Sequence, residues 1–214
     1  MYFGHIGVAF ASKPLVPKVS IGVLLFSATA LDTLCGIFIA FGIESLSLDG
    51  TCSIPWSHGL FMSVIWSVIS IGIAFIFSRN IKTSLLIGLL VFSHWILDFI
   101  SHPMGMGKNL PKDIPLLFEN STKIGLGLYN SIIAAAITEI GLLVAGLIIY
   151  LKKTESTDRT GKWAIILLIL FIVLFPLTML IPLHLSYLIT FISTLMLPIG
   201  IWVDRHRKYR YRVK

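Results

Sequence analysis

Apolar residues run along this chain in long blocks, and polar residues gather in the short gaps between them. Six blocks, about 19–43, 57–78, 82–102, 126–151, 163–182 and 184–203, reach the roughly 20 residues a helix needs to cross a bilayer. A shorter apolar segment, Tyr2 to Ser12, precedes them and stops at Lys13-Pro14 and Pro17. As a helix it would cover only about 16 Å, so it reads as a half-span or re-entrant piece. Asp49-Gly50, Pro55, Asn80, Pro103 and Gly161 punctuate the blocks, and Pro176 should kink or end the helix in which it falls. The pattern predicts an all-α, polytopic membrane protein with six full transmembrane helices plus the short N-terminal segment. One transmembrane domain would then occupy 1–214.

Composition agrees: 56% of the 214 residues are hydrophobic and 13% charged, with a mean hydropathy of +0.91. Cys35 and Cys52 give neither a disulfide framework nor zinc-ribbon spacing. The first residues lack the basic stretch and small-residue cleavage site of a signal peptide, so they are expected to stay in the mature protein. The net charge of +7 raises the question of nucleic acid, but its distribution argues for lipid. Placing 13–18, 79–82, 152–162 and the 205–214 tail on one side of the membrane collects 14 of the 17 basic residues there, leaving Lys108, Lys112 and Lys123 opposite. The positive-inside rule then predicts a cytoplasmic C-terminus and a basic cytoplasmic tail over 205–214. Loops 44–56 and 103–125 would lie outside. Membrane lipid, and no nucleic acid, is the expected partner.

Chemistry enters with His94-Trp-Ile-Leu-Asp98-Phe-Ile-Ser-His102, whose polar members recur every four residues and share one helix face. Asp32, Asp98 and Glu139 lie inside apolar blocks, where each costs about 2.5–3.5 kcal/mol on insertion scales. His5, His58, His94 and His102 fall at compatible depths. The usual compensators for such residues are a bound metal or a proton relay. His94 and His102 are about 12 Å apart along the axis, too far for one ion. Asp98 between them suits a carboxylate bridging two ions about 3.5–4 Å apart, as in two-metal hydrolases. Mixed imidazole and carboxylate donors suit divalent zinc first, then manganese or iron. Expected ligands are therefore His5, Asp32, His58, His94, Asp98, His102 and Glu139, with Glu139 the natural general base and Asp98 the other catalytic carboxylate. Tyr129 and Asn130 are weaker candidates for orienting a substrate. His184 reads as interfacial, and Asp204-Arg205-His206 as a boundary charge cluster.

The order Gly4-His5, Asp32, Trp56-Ser57-His58, His94-Trp-Ile-Leu-Asp98, Ser101-His102, Gly125-Leu-Gly-Leu-Tyr-Asn130, Glu139 and Asp204-Arg-His-Arg207 resembles the bacterial inner-membrane family of metal-dependent hydrolases over nearly the whole chain. In motif order alone it is similar to zinc-dependent phospholipase C and the fungal single-strand nucleases. The resemblance implies a multi-pass protein of the bacterial inner (plasma) membrane. It also implies metal-dependent hydrolysis of phosphoesters. The spacing and orientation read above put a dinuclear His/Asp/Glu site in the outer half of the bilayer, and a site inside the bilayer points to a lipid or lipid-linked phosphoester. Two positions depart from the family pattern: Gly59 where many relatives have Ser after the His, and Pro103-Met-Gly where many others have Asp shortly after the last His. The same intramembrane residues also suit a divalent-cation or proton transporter. A structural protein using polar residues to join helices is a third reading.

Overall fold

The computed structural model describes residues 1–46, 52–102, 114–115, 123–174 and 185–209, with backbone alone at 46, 52, 114, 115, 123 and 185–193. Most of this chain is helical: α1 (Tyr2–Ser12), α2 (Ile21–Ala28), α3 (Ala30–Ala40), α4 (Pro55–His58), α5 (Leu60–Ser78), α6 (Ile81–Ser101), α7 (Ile132–Lys153), α8 (Arg159–Leu174) and α9 (Leu185–Arg205). Short antiparallel ribbons join β1 (Ser45–Leu46) to β2 (Cys52–Ser53), β3 (Ile114–Pro115) to β4 (Lys123–Ile124), and β5 (Thr154–Ser156) to β6 (Arg207–Tyr209).

Among the described residues, α5, α6 and α7 are long and apolar enough to cross a membrane; α2 and α3 make a fourth only if a pair bent by 58° counts as one span. Six spans are not supported among the described residues. Block 19–43 is not one helix, because the chain breaks at Thr29, whose backbone leaves helical geometry at φ −110°, ψ 14°. Its hydroxyl donates back to Leu25 O at 3.1 Å, a local bond that competes with continuing the helix. Block 163–182 is helical in the 16 residues of α8, and the residues after Leu174 are not described. Block 184–203 lies in α9, whose side chains are described only from Thr194. The expectations for Asp49-Gly50, Pro103, Lys108, Lys112, Pro176, His184 and residues 210–214 fall outside the described residues.

Caps explain where the helices begin. Ser20 Oγ accepts from Gly22 N at 3.1 Å, Asn80 Oδ1 from Thr83 N at 3.1 Å and Ser131 Oγ from Ala134 N at 3.3 Å, each relieving an orphaned first-turn donor. Between α5 and α6 the turn is only Arg79-Asn80, with Arg79 left-handed at φ 51°, so these two helices return antiparallel. Ser67 Oγ donates to Gly88 O at 2.6 Å across their interface.

The core forms around α1. Ile6, Ala9 and Phe10 are fully buried, with α7, α2 and α6 packed against the helix. Contact with α7 is backbone to backbone: a Cβ at Gly146 would lie 2.0 Å from Gly7 O, and one at Gly7 2.3 Å from Leu142 O. On their outer faces α5 and α7 expose large apolar side chains; Phe77 and Ile132 are each 84% exposed. Surface of that kind suits a hydrocarbon environment. These helices bring the start of α1, the α2–α3 break, α4 and the last turns of α6 to one place.

Candidate metal centre

Five of the seven expected ligands converge there. His94 and Asp98 come from successive turns of α6, and all but Asp32 are at most 5% exposed. His94 Nε2 lies 3.2 Å from Asp98 Oδ2 and 3.5 Å from Asp32 Oδ1; His58 Nε2 lies 3.6 Å and 3.5 Å from the same two oxygens. His5 Nε2 sits 3.2 Å from the other oxygen, Asp98 Oδ1. The His5 ring stacks on His94 with centroids 3.7 Å apart, and His58 meets His94 edge-on at 5.2 Å. Met1 N also reaches Asp98 Oδ1, at 2.8 Å.

Neighbouring acceptors fix the imidazole tautomers. His94 Nδ1 donates to Ala28 O at 2.8 Å. That carbonyl is in the last turn of α2, where no intrahelical partner is available, and the break at Thr29 is what puts it there. His58 Nδ1 lies 2.7 Å from Ser57 Oγ, and Ser57 in turn donates to Glu44 Oε2 at 2.7 Å. Because the hydroxyl hydrogen goes to the carboxylate, the imidazole is the donor in the Ser57–His58 bond. Glu44 is anchored independently by the backbone N–H groups of Trp56 and Ser57, both at 2.8 Å. In their neutral forms both rings therefore turn an Nε2 lone pair toward two carboxylates.

Three at a time, these side chains stand where ligands of a divalent ion would, His94 with Asp32 and His58 or His94 with His5 and Asp98. Four donor atoms, two nitrogens and two oxygens, lie 3.2–3.6 Å apart across the four His–Asp edges. Bonds of about 2.0–2.1 Å in a tetrahedron give edges of about 3.3 Å. Among the described residues His94 Nε2 is buried and makes no hydrogen bond of good geometry, its neighbours being the two carboxylates. Two overlapping groups could hold an ion, His5–His94–Asp98 and Asp32–His58–His94. His94 has one free lone pair, so a second ion would depend on Asp98 Oδ1 on the His5 side, and it would have to displace the Met1 amino group that sits there at 2.8 Å.

Comparison with known proteins adds nothing to this geometry. No family model, curated protein or solved structure matches the chain.

Two expected ligands lie outside both groups. Glu139 Oε2 accepts from Gly4 N at 2.9 Å and Oε1 from Tyr129 OH at 2.6 Å, so it ties α7 to the turn that carries His5. His102 follows the last turn of α6; its ring is 6.1 Å from that of Tyr129, beyond the Asp98 level. Three contributors were not among the expected residues: Glu44, Ser57 as the His58 orienter, and the Ala28 carbonyl. The motif Trp56-Ser57-His58 did hold Ser57. Asn130 remains without a described role in the cluster.

Proposed function

We propose that the protein is an integral-membrane, metal-dependent hydrolase acting on a lipid or lipid-linked phosphoester, in the bacterial inner membrane. The observation that carries the reading is the pair of oriented imidazoles, His58 and His94, facing Asp32 and Asp98 at tetrahedral-edge distances. Zinc is the ion best suited to this donor set, which His94, His58, Asp32 and Asp98 would hold, with His5 available beside Asp98. When bound, such an ion polarises a phosphoryl oxygen and lowers the pKa of water.

The chain's own residues divide the remaining work. Asp32, whose side chain is 26% exposed, is the most open member and marks the side from which substrate arrives. Asp98 and His94 are buried ligands that hold position while substrate exchanges. In this reading Glu139 positions His5 through Gly4, and Tyr129 holds Glu139. A site among lipid-exposed helices favours a substrate that enters from the bilayer.

Elemental mass spectrometry of the detergent-purified protein tests the reading, alongside release of phosphate or headgroup from phospholipid and lipid-linked phosphoesters. The wild type should carry about one to two transition-metal ions per chain, with His94→Ala and Asp98→Ala losing both metal and cleavage. Unchanged metal content in both variants would overturn the assignment. Metal bound with no ester cleaved would favour ion transport instead.

A further inference from the structure

Eight residues on from His5, about 12 Å as a helix, and just past the end of α1, Lys13 enters a second concavity that the metal centre does not use. It has a volume of about 330 Å³ and is lined by Lys13, Lys18, Arg205, Arg207 and Lys208 with a single acid, Asp204. That size falls at the small end of ligand pockets.

Most of these charges are already fixed. Lys13 Nζ donates to Asp204 Oδ2 at 2.8 Å and to Val19 O at 2.6 Å. Asp204 also accepts from Ile21 N at 2.6 Å and from Tyr150 OH at 3.3 Å, so its carboxylate is satisfied from within. Arg207 donates to Thr154 Oγ1 and Ser156 Oγ, and lies over the Tyr150 ring at 5.4 Å. Lys208 pairs with Glu155 at 3.2 Å. Lys18 and Arg205 are different: both are exposed, and among the described residues neither has an ion-pair partner. Among the described residues, the cavity therefore has walls whose charges are met by internal bonds and two cations at its rim without an ion-pair partner.

We propose that this cavity binds a phosphate-bearing anion, clamped by Lys18 and Arg205. An ammonium and a planar guanidinium together suit an oxyanion with several acceptor oxygens, one as a point charge and the other as a fork. The cavity sits where α1 and α9 end among basic residues, the level at which anionic headgroups meet a membrane protein. Phosphate chemistry could come from a lipid headgroup or from a soluble phosphate ester. The site is independent of the metal centre and stands or falls without it.

Native mass spectrometry on the full-length protein in detergent separates the sources, with phosphatidylglycerol, phosphatidylcholine and glycerol 3-phosphate as probes. Preferential retention of phosphatidylglycerol, weakened roughly thirtyfold in the Lys18→Ala/Arg205→Ala double variant, supports a lipid headgroup. Binding of glycerol 3-phosphate with the same dependence on the two residues supports a soluble ligand. Lys152→Ala/Lys153→Ala removes equal charge from the last turn of α7, outside the cavity lining. Equal weakening by that control would reduce the effect to diffuse surface charge and overturn the site. Failure of every probe to bind the wild type would also overturn it. Should the double variant fold poorly, Lys18→Gln alone, first matched to wild type by thermal melting, should still weaken retention of whichever probe binds, and undiminished retention would overturn the site.

Discussion

His58 depends for its orientation on the hydroxyl beside it. Ser57 receives the Nδ1 hydrogen and passes its own to Glu44, so the free lone pair on Nε2 points inward. Orienting partners of this kind typically change metal affinity about 10–100-fold when removed. Ser57→Ala should weaken metal binding by that factor in a chelator-competition titration, and the melt without metal should fall as well, because buried His58 and Glu44 each lose a partner. An affinity equal to wild type would show that His58 either does not ligate or holds its tautomer without help. At this scale the sequence was partly readable. His94 and Asp98 announce their shared face through four-residue spacing. His5, Asp32 and His58 announce only their chemistry, since three different elements bring them in. Glu44 was unreadable as a partner because it acts across the β1–β2 segment, 13 residues from Ser57.

At the scale of elements, α1 and α7 meet where neither has a side chain. Glycine lets the two backbones touch, the packing that helices in lipid use when hydrophobic burial gives no drive. Gly7→Leu or Gly146→Leu should lower stability in detergent by at least about 1–3 kcal/mol, the usual cost of overpacking. Gly141→Ala is the contrast: a Cβ there meets nothing within 4 Å, so thermal unfolding should be unchanged or slightly raised by better helix propensity. Similar losses at Gly146 and Gly141 would argue against the close α1–α7 contact. Because His5 lies two residues before Gly7 on the same short helix, the Gly7 variant should also lose metal. The existence of α1 was legible from its apolar run and the Lys13-Pro14 stop. Its burial as the centre of the packing was not, since an eleven-residue segment says nothing about what surrounds it.

At the scale of the whole molecule, hydropathy identified apolar blocks but could not tell a span from a bent pair. Nothing in Ser27-Ala-Thr29-Ala marks a break in the way proline would, so 19–43 read as one helix. The charge pattern is a separate signal, and from it we expect the C-terminus in the cytoplasm. A green fluorescent protein fused after Lys214 should fluoresce, and alkaline phosphatase at the same point should stay inactive; the reverse pair of results would invert the orientation. The 58° bend at Thr29 then bears on biogenesis. A chain inserted with that segment straight would still be anchored, yet the Ala28 carbonyl would be drawn back into a continuous helix and Asp32 would point elsewhere. Anchoring and ion binding would come apart, and metal content would report whether insertion had ended in the right shape.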